Sequence, residues 1–234
     1  MHSREFTRGL RDGIPIALGY LSVSFAFGIQ ATLQGLTPLQ ATLISMTNLT
    51  SAGQLAGLQV ITSAGPLFEM ALTQLVINLR YALMSLTLTQ KFDPKLGRGK
   101  RMLAAFGNTD EIFAVSASQK GSVSGAYFGG LMSLPYAGWT LGTALGALGG
   151  QLLPAAVVSA LGMALYGMFL AIIIPPCKRN RNVLLVVVGA ALGSCALRYA
   201  VPALSGGMVI ILCAVGMAAL GAAFFPVGAK EENA

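Results

Sequence analysis

The 234-residue chain is 55% apolar and 10% charged, carries a formal net charge of +7, and has a mean hydropathy of +0.71. A soluble domain carries about a quarter charged residues. Residues 13–68 and 121–177 contain no Asp, Glu, Lys or Arg at all, and uncharged apolar runs beyond ~18 residues indicate transmembrane helices. The fold class expected is all-α: a polytopic integral membrane protein forming one transmembrane domain over 1–234. A β-barrel is excluded because short alternating strands are missing from the sequence.

In chain order, Arg4, Arg8 and Arg11 precede the first apolar segment, 13–33. It is too long for a signal peptide and lacks a small-residue cleavage site, so it reads as a retained helix. Segment 39–63 contains the polar run SMTNLTSAGQ (Ser45–Gln54), which looks like a helix break. Segment 66–90 carries Asn78-Leu79-Arg80-Tyr81 and ends at a basic cluster: Lys91, Lys95, Arg98, Lys100 and Arg101. Segment 102–118 contains FGNTDEIFA (Phe106–Ala114). Segment 126–150 carries a glycine every fourth residue (Gly138, Gly142, Gly146, Gly150), as where helices pack closely in lipid. Segments 155–176, 183–201 (with Gly189 and Gly193) and 204–225 complete the chain, with Lys178, Arg179 and Arg181 between the first two.

Basic residues at segment ends follow the positive-inside rule rather than forming a nucleic-acid face. Eight crossings would put the 91–101 cluster outside. If 39–63 and 155–176 instead enter and leave on one side, both termini, all three clusters and Lys230 become cytoplasmic, leaving only Lys120 outside. Non-helical backbone at that depth is tolerated where it is buried in protein or lines a cavity.

A repeat supports this arrangement. Leu18-Gly19-Tyr20 recurs as Leu134-Pro135-Tyr136 and Pro38 as Pro154, both 116 residues on; Leu79-Arg80-Tyr81-Ala82 recurs as Leu197-Arg198-Tyr199-Ala200, 118 on. Two repeats, about 13–118 and 126–225, are expected, in opposite orientations. Inverted repeats with broken helices around a midplane site are a transporter architecture.

Three polar constellations stand at depths where charge is costly. Asn48, Gly53 and Gln54 lie in the first, where half-helix ends would face a zwitterionic ligand; hydrogen-bonded helix packing is the alternative. Arg80, eleven residues or about 16 Å of helix from Lys91, needs a partner: a protein carboxylate or a substrate's. Asn78 stands beside it. In the third, Asn108 and Glu111 resemble a capping box, yet Thr109, Asp110 and Glu111 together suit ammonium binding or proton coupling, since a desolvated carboxylate titrates closer to neutrality. Three cysteines without CxxC spacing and the single His2 leave no zinc site, disulfide framework or histidine-based catalysis. GxSxG, HExxH and Walker motifs are missing, so neither an enzyme nor an ATP-driven pump is expected, and no metal or cofactor.

The motifs GIPIALGYLSVSFAFG (Gly13–Gly28), NLTSAGQ (Asn48–Gln54), INLRYALMS (Ile77–Ser85) and NTDEIFA (Asn108–Ala114) resemble the AzlC family over essentially the whole chain. These are large subunits of bacterial branched-chain amino acid exporters. The resemblance implies export of leucine, isoleucine and valine, with methionine as a further substrate, across the bacterial plasma membrane, driven by protons, with a small AzlD-type membrane subunit. A passive small-solute channel and a non-transporting scaffold, in which Glu69, Arg80 and Asp110 pair only to fix packing, are the competing readings.

Overall fold

The computed structural model describes residues 2–225; Lys230 lies outside them. Ten α-helices are described: α1 His2–Leu33, α2 Pro38–Thr47, α3 Ser51–Thr62, α4 Leu67–Lys91, α5 Arg98–Phe106, α6 Asp110–Ala117, α7 Gly125–Gly149, α8 Ala155–Arg179, α9 Arg181–Ala200 and α10 Gly206–Phe224. The described residues contain no strand beyond one isolated bridge, Phe92 with Val123. Four helical stretches are long and apolar enough to cross a bilayer: Ser3–Leu33, Leu67–Lys91, Arg181–Ala200 and Gly206–Phe224. Helix α7 has the length, at 25 residues, but glycine and tyrosine lower its hydropathy. The chain divides into two compact units, Met1–Leu55 with Asn78–Leu165, and Ala56–Ile77 with Tyr166–Ala234.

The first unit is built on α1 against α7. A Cβ at Gly142 or Gly146 would strike the backbone of Leu21 or Phe25, and one at Gly138 would strike Ala17. From the α1 side, Gly9 and Gly28 lie against the backbones of Tyr127 and Thr143. The glycine ladder is therefore a packing surface, where missing side chains let two backbones approach and gain dispersion contact that lipid would not supply. The touching pairs rise together along both helices, so α1 and α7 run in the same direction. This corrects the expectation of inversion for that pair, because mates in inverted repeats run antiparallel. Orientation is decided by how the intervening segments return, which the matching tripeptides do not encode.

Those returns are visible. Arg8 donates to Gln119 at 2.8 Å, and the Tyr127 hydroxyl donates to Asp12 at 2.7 Å. The Asp93 amide donates to the Val123 carbonyl at 3.0 Å, and the Val123 amide to Lys91 at 2.9 Å. The start of α1, the end of α4 and the 118–124 turn thus gather at one end of the unit. Lys120, expected on the opposite side, lies at this basic end. Residues 98–117 leave that end and come back to it, so they form two half-helices rather than the single span expected for 102–118. A buried cluster of Leu88, Phe92, Ala104, Ile112, Tyr127 and Phe128 holds both arms against α4 and α7.

Segment 39–63 breaks where the polar run lies. Thr37 opens α2 with a complete capping box to Gln40 and Pro38 behind it. At the other end, Asn48 Oδ1 accepts from the Thr50 amide at 2.9 Å and its hydroxyl at 2.6 Å. This local bonding competes with the helical ladder and ends α2. Segment 155–176, the other candidate for re-entry, is instead one unbroken helix, α8, of 25 residues, or about 37 Å at 1.5 Å per residue.

In the second unit, α9 and α10 pack antiparallel. Gly189 faces Met217, Gly193 faces Cys213, and Gly221 faces Val186. Glu69, 5% exposed, accepts a hydrogen bond from Ser205, the N-cap of α10. A carboxylate at a helix N-terminus is favoured by the unpaired amides there.

Candidate functional site

The site is assembled around the second helix break. Gly107 closes α5, and Thr109 caps α6, its hydroxyl accepting from the Ile112 amide at 3.4 Å. The cap is thus Thr109, one residue later than Asn108, and Glu111 does not reach back to close a capping box. Asn108 instead donates to Ser85 at 3.0 Å, while its Oδ1 is buried without a partner.

This start of α6 presents Asp110 and Glu111 in different roles. Arg80 Nη2 lies 2.9 Å from Asp110 Oδ2, with side chains 44% and 36% exposed. Arg80 also donates to the Tyr81 hydroxyl at 3.2 Å and lies 4.9 Å over that ring. The Tyr20 hydroxyl, from α1, lies 2.5 Å from Glu111 Oε2 and 2.6 Å from Thr109 Oγ1. With one proton, Tyr20 donates to the charged acceptor, where a hydrogen bond is strongest. The Thr109 hydroxyl is left to donate to the Tyr20 oxygen.

Tyr20 links this break to the first. Its ring meets Trp139 edge-on at 5.1 Å, and both pack with Leu49, which lies within the α2–α3 break. Trp139 Nε1 donates to Gln54 Oε1 at 2.7 Å, Gln54 Nε2 donates to Ser45 Oγ at 2.7 Å, and Ser45 lies 2.6 Å from the Thr143 hydroxyl. This chain begins and ends on α7 and clips α2 and α3 to it. Tyr136 adds a bond to the carbonyl of Met46, in the last turn of α2, at 3.1 Å.

Of the residues expected from sequence, Arg80, Thr109, Asp110 and Glu111 come together directly. Gln54, 1% exposed, joins them through Trp139 and Tyr20, with its amide donor and acceptor both engaged by the protein, as the packing alternative requires. Asn48 shapes the first break, and Gly53 is buried in the first turn of α3. Asn78 is half-buried on α4, two residues before Arg80. Glu69 is bonded to Ser205 at the start of α10. The residues missed are Tyr20 and Trp139. Their signals were the Tyr20–Tyr136 repeat match, since each of these tyrosines ties down one helix break, and the fact that the chain has a single tryptophan. Among the described residues, no cluster of His, Cys, Asp and Glu is arranged to hold a metal ion.

A family model described as AzlC protein matches residues 15–153. The chain is 30% identical to the "Inner membrane protein YgaZ" of Escherichia coli (strain K12), over 98% of this chain and 95% of that protein. It is 32% identical to an "Uncharacterized membrane protein" of Archaeoglobus fulgidus, over 81% of this chain and 83% of that one. No solved structure matches the chain significantly.

Proposed function

The chain belongs to the AzlC family, and we propose that it is a proton-coupled secondary transporter exporting leucine, isoleucine and valine, with methionine as a further substrate, together with a small AzlD-type subunit. The membrane is the bacterial plasma membrane, in keeping with the name of the Escherichia coli relative, and both termini face the cytoplasm.

The observation that carries this reading is the Arg80–Asp110 pair at the opening of α6. Removing one partner of such a pair leaves the other charge unpaired, which is costly away from water. A zwitterion avoids that cost: its carboxylate takes Arg80, its ammonium takes Asp110, and no charge is left over. Glu111, held by the Tyr20 hydroxyl, then serves as the proton carrier, and that hydrogen bond couples proton loading to α1. Leu49, Val23 and Ile16 beside Tyr20 and Trp139 suit an aliphatic side chain.

The test is efflux of labelled leucine from cells loaded with a leucine dipeptide, with the small subunit co-expressed. Asp110→Asn and Arg80→Gln are each expected to lower efflux at least tenfold; normal efflux in both sinks the assignment. The scaffold reading is favoured by the same ion pair being closed within the protein, and it predicts no amino acid binding by the purified complex. A passive channel predicts efflux that neither saturates nor responds to the proton gradient.

A further inference from the structure

A cleft of about 530 Å³ opens at the basic end of the first unit, between residues 92–104 and the start of α7. One part of its wall is apolar, with Leu96, Leu103, Phe128 and Met132; the other carries Asp93, Lys95 and Lys100. The nearby charges are not equally available. Arg101 is consumed in building the wall: its guanidinium donates to the carbonyls of Thr89 at 2.6 Å, Leu96 at 2.9 Å and Asp93 at 3.1 Å. The Asp93 carboxylate accepts the Lys95 amide at 2.9 Å. Lys95 and Lys100 make no ion pair among the described residues. Ser124, the N-cap of the 25-residue α7, also lines the cleft; its hydroxyl donates to the Glu5 carboxylate at 3.4 Å, which offsets the positive end of that helix, so the free positive charge at the cleft is that of the two ammonium groups. A side chain added at Gly129, on the wall, would meet nothing within 4 Å.

Two free cations above an apolar wall suit an amphiphile with a phosphate head. A soluble anion would leave the apolar wall wet, and a neutral lipid would leave the lysines unused. The basic end of a membrane protein also faces the leaflet richest in anionic lipid. We propose that this cleft binds one anionic phospholipid, its phosphate against Lys95 and Lys100, its upper acyl chain along Leu103, Phe128 and Met132. The proposal requires only that the chain lies in a bilayer and is independent of the transport reading.

The full chain, purified in neutral detergent, is titrated with phosphatidylglycerol and, separately, with phosphatidylcholine of the same acyl chains, and bound lipid is counted by native mass spectrometry. One phosphatidylglycerol is expected to bind in preference. Lys95→Gln with Lys100→Gln, both at exposed positions, should weaken it roughly thirtyfold, from about a fivefold effect per surface cation. Gly129→Leu should weaken it too, with every charge retained. Lys120→Ala, at the same end but off the cleft, should leave it unchanged. The proposal is overturned by equal binding of phosphatidylcholine, by a Lys120→Ala loss matching the double variant, or by undiminished binding in Gly129→Leu. A co-purified protein chain shielding Lys95 and Lys100 from acylation would also overturn it.

Discussion

The Arg80–Asp110 pair separates a transport site from a structural brace if the two charges are exchanged as well as removed. At 2.9 Å the bare attraction is about 1.4 kcal/mol at the dielectric of water and about 6 kcal/mol at an effective dielectric of 20. With 44% and 36% of the side chains exposed, solvent screening pulls the net value towards the lower figure. A coupling of about 1–2 kcal/mol follows, above the usual surface pair and below a fully buried one. Arg80→Gln and Asp110→Asn should each lower the melting temperature by about 2–8 °C, and the double variant by less than their sum. Arg80→Asp with Asp110→Arg should recover most of that stability. Efflux should not recover, because the exchanged charges meet the substrate's ammonium and carboxylate in the wrong places. Thermal unfolding of the purified variants and efflux from dipeptide-loaded cells measure both. Additive single variants would refute the coupling, and native efflux from the exchanged pair would refute the substrate role.

Three further outcomes are expected. Trp139→Phe leaves the buried Gln54 Oε1 without its donor and should cost about 1–3 kcal/mol in unfolding free energy, while a Phe at Tyr136, whose bond goes to an exposed carbonyl, should cost less. Gly142→Leu places a side chain against the Leu21 backbone and should abolish folded protein in a size-exclusion assay, whereas Gly129→Ala meets open space and should gain up to about 1 kcal/mol from helix propensity. With Cys177, Cys195 and Cys213 replaced, single cysteines at Lys95 and Lys120 should be labelled from the same side of the membrane, and one at Gly35 from the other; labelling of 95 and 120 from opposite faces would show that α5 and α6 form a crossing.

The break at Asn48–Thr50 was legible because two amides and four hydroxyls crowd Ser45–Gln54 in an apolar segment, where such side chains compete locally with the helical ladder. The break at Gly107–Thr109 was half legible: Asn108 and Glu111 signal a helix start, but nothing in 102–118 says that the chain turns back. That return depends on Val123 pairing with Lys91 and Asp93 and on the buried contacts of Ile112, all long-range. Arg80's need for a carboxylate could be argued from its distance to Lys91, and Asp110 answers it. Tyr20 was invisible as a site residue because an aromatic on an apolar helix is most often core packing; only the fold brings its hydroxyl to Glu111.

The backbone-to-backbone seam of α1 and α7 has a mechanical consequence. Their register is fixed every four residues, and a shift of one position would drive Leu141 or Leu145 into a neighbouring carbonyl row. The seam cannot slide without being taken apart, so it acts as a keel. Hung on it are the short arms α2, α3, α5 and α6, of 8 to 12 residues each. Each arm is fastened to that keel by few but buried contacts, such as the Ile112 cluster and the hydrogen bonds of Gln54.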